Sequence, residues 1–349
     1  MEYFTMNKST SSLINVWTQP DPEEIGHSID EFLSRLKQPT IIQLSGLDDS
    51  RTRVISTLLH GNEPSGLYAV FNWLKSGKQP AVNTVFFVGA VTAALEHPRF
   101  FYRHLPDERD LNRCFKEPFD DYPGHVAKSF LDFLKEEQPE CLIDIHNTSG
   151  SGPAFAVSIC NDLAHQTLVS HFVDRLIVTN LRLGSLMELS EQDVPTITVE
   201  CGGTQDEQAH LLAIESVDRF LSLDDVFQYS ATDRELEILY NPVRIELKPD
   251  ATIAYNMAPV DGVDITLPLN IEHLNFGVVD TDIQLGWLGE RGIDCFQVVS
   301  HEGKDISQEL LRVEGNQLFP KQPVKAFMIT TNPIIAKSDC LFYAVTCQG

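Results

Sequence analysis

The sequence has no run of about 18 apolar residues, and that absence excludes a membrane-spanning helix. Positive charge is scarce: 26 Lys and Arg stand against 50 Asp and Glu, a formal net charge of −24. A chain this acidic is unsuited to nucleic acid or anionic lipid, both of which need clustered Lys and Arg. The seven cysteines (Cys114, Cys141, Cys160, Cys201, Cys295, Cys340, Cys347) are odd in number, scattered and never spaced as CxxC. That pattern argues against a disulfide framework and for a reducing cytoplasm. The opening MEYFTMNKSTSS is polar and lacks the apolar stretch of a signal peptide. Internal repeats and low-complexity tracts are missing too. What is present is ordinary globular composition, 42% hydrophobic and 22% charged. At 349 residues the chain is long enough to bury roughly 75% of its unfolded surface.

The chain reads in two halves. In the first, apolar runs alternate with helical spacing. RVISTLL at 53–59 is broken by HGNEPSG, and Leu67, Val70, Phe71 and Leu74 then follow at i, i+3, i+4 and i+7. Pro64 suits the first turn of that helix and Gly77 its end. TVFFVGAV at 84–91 reads as a strand and 126–136 as a helix. ECLIDI is a strand running into a Gly-rich loop, AFAVSIC another strand, Asn161 a cap for a helix over about 162–176, and VPTITVECGG a final strand. This alternation predicts an α/β domain over 1–228 with a mostly parallel sheet, whose active site collects at the carboxyl ends of strands. From 229 to 349 short β-type segments such as VRIEL, VDITLPL and CLFYAV follow one another without a comparable helix, predicting a smaller β-rich domain.

Three strand ends carry ligand-type residues. His60-Gly61-Asn62-Glu63 lies where a strand gives way to a helix, so imidazole and carboxylate can converge on one ion. Zinc accepts nitrogen and oxygen ligands, and a catalytic zinc needs only three from the protein. A surface His and a helix-capping Glu would give the same letters. Asp144-Ile145-His146 closes the apolar strand CLIDI, with both ionisable side chains on one face. Such a pair is costly to bury unless a metal on His146, oriented with the help of Asp144, compensates, or the two simply bond to each other. Glu200 is the one charge in PTITVECGG. Beside a metal it is placed to take a water's proton and pass it to a leaving group; otherwise it accepts backbone bonds. Arg109-Asp110-Leu111-Asn112-Arg113 offers paired guanidinium donors for a carboxylate, or an ordinary solvated loop.

Taken in order, HGNEPSG, RDLNRCF, DIHNTSG and VECGG resemble the succinylglutamate desuccinylase/aspartoacylase family, which belongs with the zinc carboxypeptidase-like hydrolases. The resemblance implies a central mixed sheet flanked by helices, with a β-rich C-terminal domain that narrows the entrance to the site. It implies one zinc ion on His60, Glu63 and His146, Glu200 as general base and acid, and Asn112 and Arg113 at the substrate. An arginine shortly before the Asp-Leu-Asn-Arg stretch commonly polarises the scissile carbonyl, and Arg103 matches that role better than Arg109. The family's usual Asn-Pro pair is replaced here by AVTAALEHP. The activity implied is hydrolysis of the amide bond of a small, anionic N-acyl amino acid, with homo-oligomerisation left open. A carboxypeptidase acting on peptides would use the same metal and glutamate, a thiol hydrolase would be built on Cys201, and a non-catalytic metal- or ligand-binding relative would have no need of Glu200.

Overall fold

The computed structural model describes residues 13–148, 150, 152–192, 194–228, 235–300, 304–338 and 340–347. The polar opening residues 1–12 and residues 229–234, where the sequence reading begins its second domain, lie outside them. Among the described residues the chain forms two compact units, one within Met1–Asn147 and Ala154–Ile238, the other within Thr148–Pro153 and Leu239–Gly349. The division thus falls ten residues beyond 228, and the second unit also takes in the Gly-rich segment 148–153.

In the first unit β1 (Asn15–Thr18) is followed by α1 (Pro22–Ile25), α2 (Ile29–Leu36), β2 (Thr40–Leu44) and β3 (Asp48–Thr57). Then come α3 (Ser65–Ser76), β4 (Val82–Val88), α4 (Val91–Leu95), α5 (Tyr122–Glu137), β5 (Cys141–Thr148), β6 (Phe155–Ser158) and α6 (Leu163–Ser170). The strands β7 (Arg175–Val178) and β8 (Thr196–Gly203) and α7 (Glu207–Leu221) follow, and the unit ends within β9 (Glu237–Tyr240). The strands join in one sheet in the order β1-β2-β4-β3-β5-β8-β6-β7-β9. It is mixed and mostly parallel: β3 runs parallel to β4 and β5, whereas β2 meets β4 and β6 meets β8 antiparallel.

Alternation along the central strands makes two cores. Val54, Phe87 and Leu142 join Phe130 of α5 on one face. Their neighbours Ile55, Phe86 and Ile143 join Phe32, Val70 and Phe220 on the other. Strands covered on both sides read as continuous apolar runs, which is why they are legible in the sequence. Each such buried side chain contributes about 1.5–3 kcal/mol. The helices begin at good caps: Asp121 accepts from Gly124 N for α5, and Asp206 from Gln208 N for α7. Gly77, at φ +65°, ends α3 in the left-handed region.

Two readings shift. The helix expected over 162–176 is capped by Asp162, not Asn161, and stops at Ser170. The last residues of the expected helix, Arg175 and Leu176, instead belong to β7, which lies alongside β6. α5 begins four residues earlier than expected, at Tyr122.

Among the described residues the second unit has two five-stranded sheets. One orders Val278–Val279, Val324–Phe327, Phe342–Thr346, Val243–Leu247 and Phe296–Val299; the other orders Ile253–Tyr255, Ile265–Leu267, Gly286–Leu288, Gln317–Pro320 and Leu311–Glu314. The two sheets share one apolar core around Ile245, Leu267, Phe296 and Phe342. Among the described residues no helix is long and apolar enough to cross a membrane.

Candidate active site

The chain leaves β3 by kinking at Leu58, whose φ of +54° is unusual for a residue with a Cβ. The turn that follows presents His60, and its carbonyl accepts from Glu63 N at 3.1 Å just before α3 begins. Gly61 makes this turn possible. A Cβ there would stand 2.7 Å from the Ala94 nitrogen and the Tyr102 carbonyl oxygen, and Gly61 N donates to Arg103 O at 2.8 Å. His146 arrives on β5, which pairs in register with β3. Two strand ends 86 residues apart in sequence thus deliver three ligand-type side chains, each no more than 5% exposed.

The proton inventory of this cluster is specific. His146 Nε2 lies 2.7 Å from Asp144 Oδ2, and His60 Nε2 lies 3.1 Å from Asp110 Oδ1. A carboxylate can only accept, so each Nε2 donates outward to its aspartate, and each Nδ1 is turned inward toward Glu63. Those two Nδ1 atoms are 3.2 Å apart; Glu63 Oε1 is 2.8 Å from one and Glu63 Oε2 is 2.6 Å from the other. Nδ1 protons satisfy both oxygens of Glu63 when no ion is bound, and a metal cation among these four atoms would take the place of those protons. Burial alone would push the His146 imidazole down, but Asp144 and Glu63 raise it well above its ordinary range. Burial likewise opposes ionisation of Glu63, and the charges of His60 and His146 outweigh it. His60, Glu63 and His146 form a group able to hold a metal ion, with the backing carboxylates of a carboxylate–imidazole–metal arrangement already in place.

Glu200 stands on β8 beside this cluster. It is half-buried as a residue, yet its Oε2 is fully enclosed and, among the described residues, without a hydrogen-bond partner. Burial pushes its carboxyl up to about 7, with Glu63 adding to the rise and His146, His60 and Arg103 pulling against it. An enclosed carboxyl with a vacant lone pair, poised near neutrality, suits proton transfer.

The arginines separate. Arg103 reaches the site: Nε and Nη2 donate to Asp110 Oδ2 at 3.1 and 3.0 Å, and Nη1 to Glu63 Oε1 at 3.4 Å. Arg109 turns away. It forks onto Asp121 at 2.5 and 2.7 Å and onto the Pro118 carbonyl, bracing the cap of α5. Arg113 donates to Asn112 O at 2.8 Å. Asn112 is buried; its Oδ1 accepts from Leu186 N at 2.9 Å and its Nδ2 lies 3.4 Å from His146 Nε2.

Sequence reasoning missed Asp110 and Asn147. Asp110 links His60 to Arg103 and also caps Asn112 N at 2.8 Å; His60, Arg103 and Arg113 hold its carboxyl far below the usual range despite its burial. Asn147 N donates to Glu63 Oε2 at 3.3 Å, and its side chain ties Ser65 Oγ to Gly202 O at 2.7 and 2.9 Å. The signal for both was their position inside otherwise recognisable motifs. The thiol of Cys201 is buried in the apolar core, which pushes it upward and away from nucleophilic use.

Residues 49–222 match the model of the succinylglutamate desuccinylase/aspartoacylase catalytic domain. The fold is similar to that of a succinylglutamate desuccinylase/aspartoacylase from Rhodobacter sphaeroides, with 13% identity, 88% of each chain covered and a TM-score of 0.56. It is also similar to the ectoine utilization protein EutE (DoeB) from Ruegeria pomeroyi, with 14% identity, 88% of this chain and 87% of that one covered and a TM-score of 0.55. Murine aminoacylase 3 aligns at 16% identity over 85% of this chain and 96% of its own, with a TM-score of 0.52. At such identities the likeness is one of fold. No curated protein sequence matches the chain. Through the domain that carries His60, Glu63 and His146, the chain belongs to the succinylglutamate desuccinylase/aspartoacylase family of hydrolases.

Proposed function

We propose that the protein is a zinc-dependent hydrolase that cleaves the amide bond of a small N-acyl amino acid. The observation that carries this reading is the convergence of two Nδ1 atoms and both oxygens of Glu63, beside the Glu200 carboxyl, whose Oε2 has no partner among the described residues. A nitrogen and carboxylate set of this kind suits zinc, which when bound supplies Lewis acidity toward a water and an acyl carbonyl. His60, Glu63 and His146 hold the ion; Asp144 and Asp110 keep both imidazoles in the ligating tautomer.

Glu200 takes the proton of the attacking water and delivers it to the departing amine. The side chain of Arg103, already aimed at the ligand cluster, donates to the carbonyl oxygen as negative charge develops there. Arg113, with the Asn112 amide, holds the substrate carboxylate, which in so acidic a chain needs a local positive charge. Arg109, committed to Asp121, is left out of this assignment. The products are a free amino acid and a carboxylic acid.

The test is hydrolysis of a panel of N-succinyl, N-acetyl and longer N-acyl amino acids, with zinc removed by chelation and then restored. Zinc-dependent release of the free amino acid from at least one member is the expected result. Turnover of peptides alone would replace this reading by a peptidase, and activity indifferent to chelation would refute the metal's role.

A further inference from the structure

A second cluster of metal-ligating side chains lies in the first unit, away from the active site. Cys160 Sγ, a carboxylate oxygen of Asp162 and a ring nitrogen of His165 all fall within 4.8 Å of one another. They come from the turn after β6 and the first turn of α6. β6 runs antiparallel to β8, with Phe155 opposite Glu200 and Val157 opposite Thr198. The end of β6 that carries Cys160 therefore faces the start of β8, and Glu200 stands at the other end. Four residues of strand, from Thr196 to Glu200, put about 13 Å between the two places.

Hydrogen bonding settles which nitrogen of His165 faces the cluster. Ser190 Oγ donates to Thr196 O at 3.0 Å and accepts from Thr196 N at 3.1 Å. Its only proton is thus committed, and the His165 Nε2 at 3.0 Å must be the donor to it. Asp162 divides its oxygens: Oδ1 caps α6 by accepting from His165 N at 3.1 Å, and Oδ2 sits 2.8 Å from His165 Nδ1. Oδ2 of Asp162 accepts from Nδ1, and an ion bound beside the Cys160 sulfur would take the place of that Nδ1 proton. His165 is buried and Cys160 half-buried, while Asp162 stays open to solvent. His60 and His146 are arranged alike, one ring nitrogen on an outer partner and the other against the carboxylate that would share the ion.

From this arrangement we infer that Cys160, Asp162 and His165 form a second divalent-metal site, selective for a borderline-soft ion such as zinc. The thiolate, imidazole and carboxylate supply three ligands, with Ser190 orienting the ring from behind and solvent completing the coordination. Loaded, the site pins the start of α6 to the turn after β6. Through Ser190 it also holds the entry of β8, the strand whose far end bears Glu200.

Cobalt(II) titration of the full-length protein tests this, because a thiolate ligand gives a charge-transfer absorption in the near ultraviolet that a nitrogen and oxygen site does not. Two equivalents should bind, with that absorption tracking one of them. In Cys160→Ser the absorption should vanish while one equivalent still binds. In His60→Ala it should persist. Asp162→Asn separates metal binding from helix capping, because Asn caps about as well as Asp. It should keep the helix content yet bind the thiolate-associated equivalent at least tenfold more weakly. No thiolate absorption in the parent protein, or the same absorption after Cys160→Ser, would overturn the site; so would unaltered affinity in Asp162→Asn.

Discussion

Asp144 is the residue whose alteration asks most of the proposed metal centre. It is fully buried, and its Oδ2 holds the Nε2 proton of His146 at 2.7 Å. Asn keeps the volume and one acceptor but removes the charge, and hydrogen bonds to ionised partners are roughly twice as strong as neutral ones. Outer partners of ligating histidines typically matter 10–100-fold in metal affinity. At about 1.4 kcal/mol per tenfold, Asp144→Asn should therefore cost about 1.4–2.7 kcal/mol of zinc binding. Asp110→Asn should fall nearer the lower figure, because its bond to His60 is longer, at 3.1 Å, and Asp110 also engages Arg103. The assay is competition for zinc against a chromophoric chelator, with circular dichroism on the same samples to show that the fold is intact. A folded Asp144→Asn variant that holds zinc within twofold of the parent would refute the assignment of Asp144 as the group that orients His146.

Other outcomes follow from the same geometry. Glu200→Gln should bind zinc normally and lose several orders of magnitude in kcat, read by metal analysis alongside the hydrolysis assay. Burial holds the Glu200 carboxyl up at about 7, and it must be ionised to accept a proton. A bound cation pulls it down, so kcat/KM should fall with decreasing pH along an acid limb at or below about 7; a rate that increases toward acid would contradict its role as base. Arg109→Ala should leave KM unchanged and cost no more than about 1 kcal/mol of stability, as befits a partly exposed pair with Asp121, measured by denaturant titration.

Much of this centre was legible from residue types at strand ends. His60, Glu63, His146 and Glu200 each interrupt or close an apolar run, where an ionisable side chain is costly unless something compensates it. The central strands were legible for the same reason, because burial on both faces leaves long apolar runs. What escaped notice depends on distance in sequence. Asp110 meets His60 across 50 residues, and no spacing rule connects them. Arg103 and Arg109 look alike in the sequence. Only the fold shows that one reaches Glu63 while the other is consumed by Asp121. Arg175 and Leu176 of β7 read as the end of a helix because RLIV, taken alone, is compatible with either structure. Its pairing with β6 is a tertiary fact. In the sequence Cys160 is one of seven scattered cysteines, Asn161 reads as the cap in place of Asp162, and nothing marks His165 as their partner. Their joint meaning appears once Ser190, from a distant turn, fixes the ring.

The most direct measurement is anomalous diffraction at the zinc absorption edge from zinc-loaded crystals of the full chain. The account predicts a peak about 2.0–2.1 Å from Nδ1 of His60 and Nδ1 of His146, with the Glu63 carboxylate completing the protein ligands. An ion bound through either Nε2, or no peak between these three side chains, would contradict it.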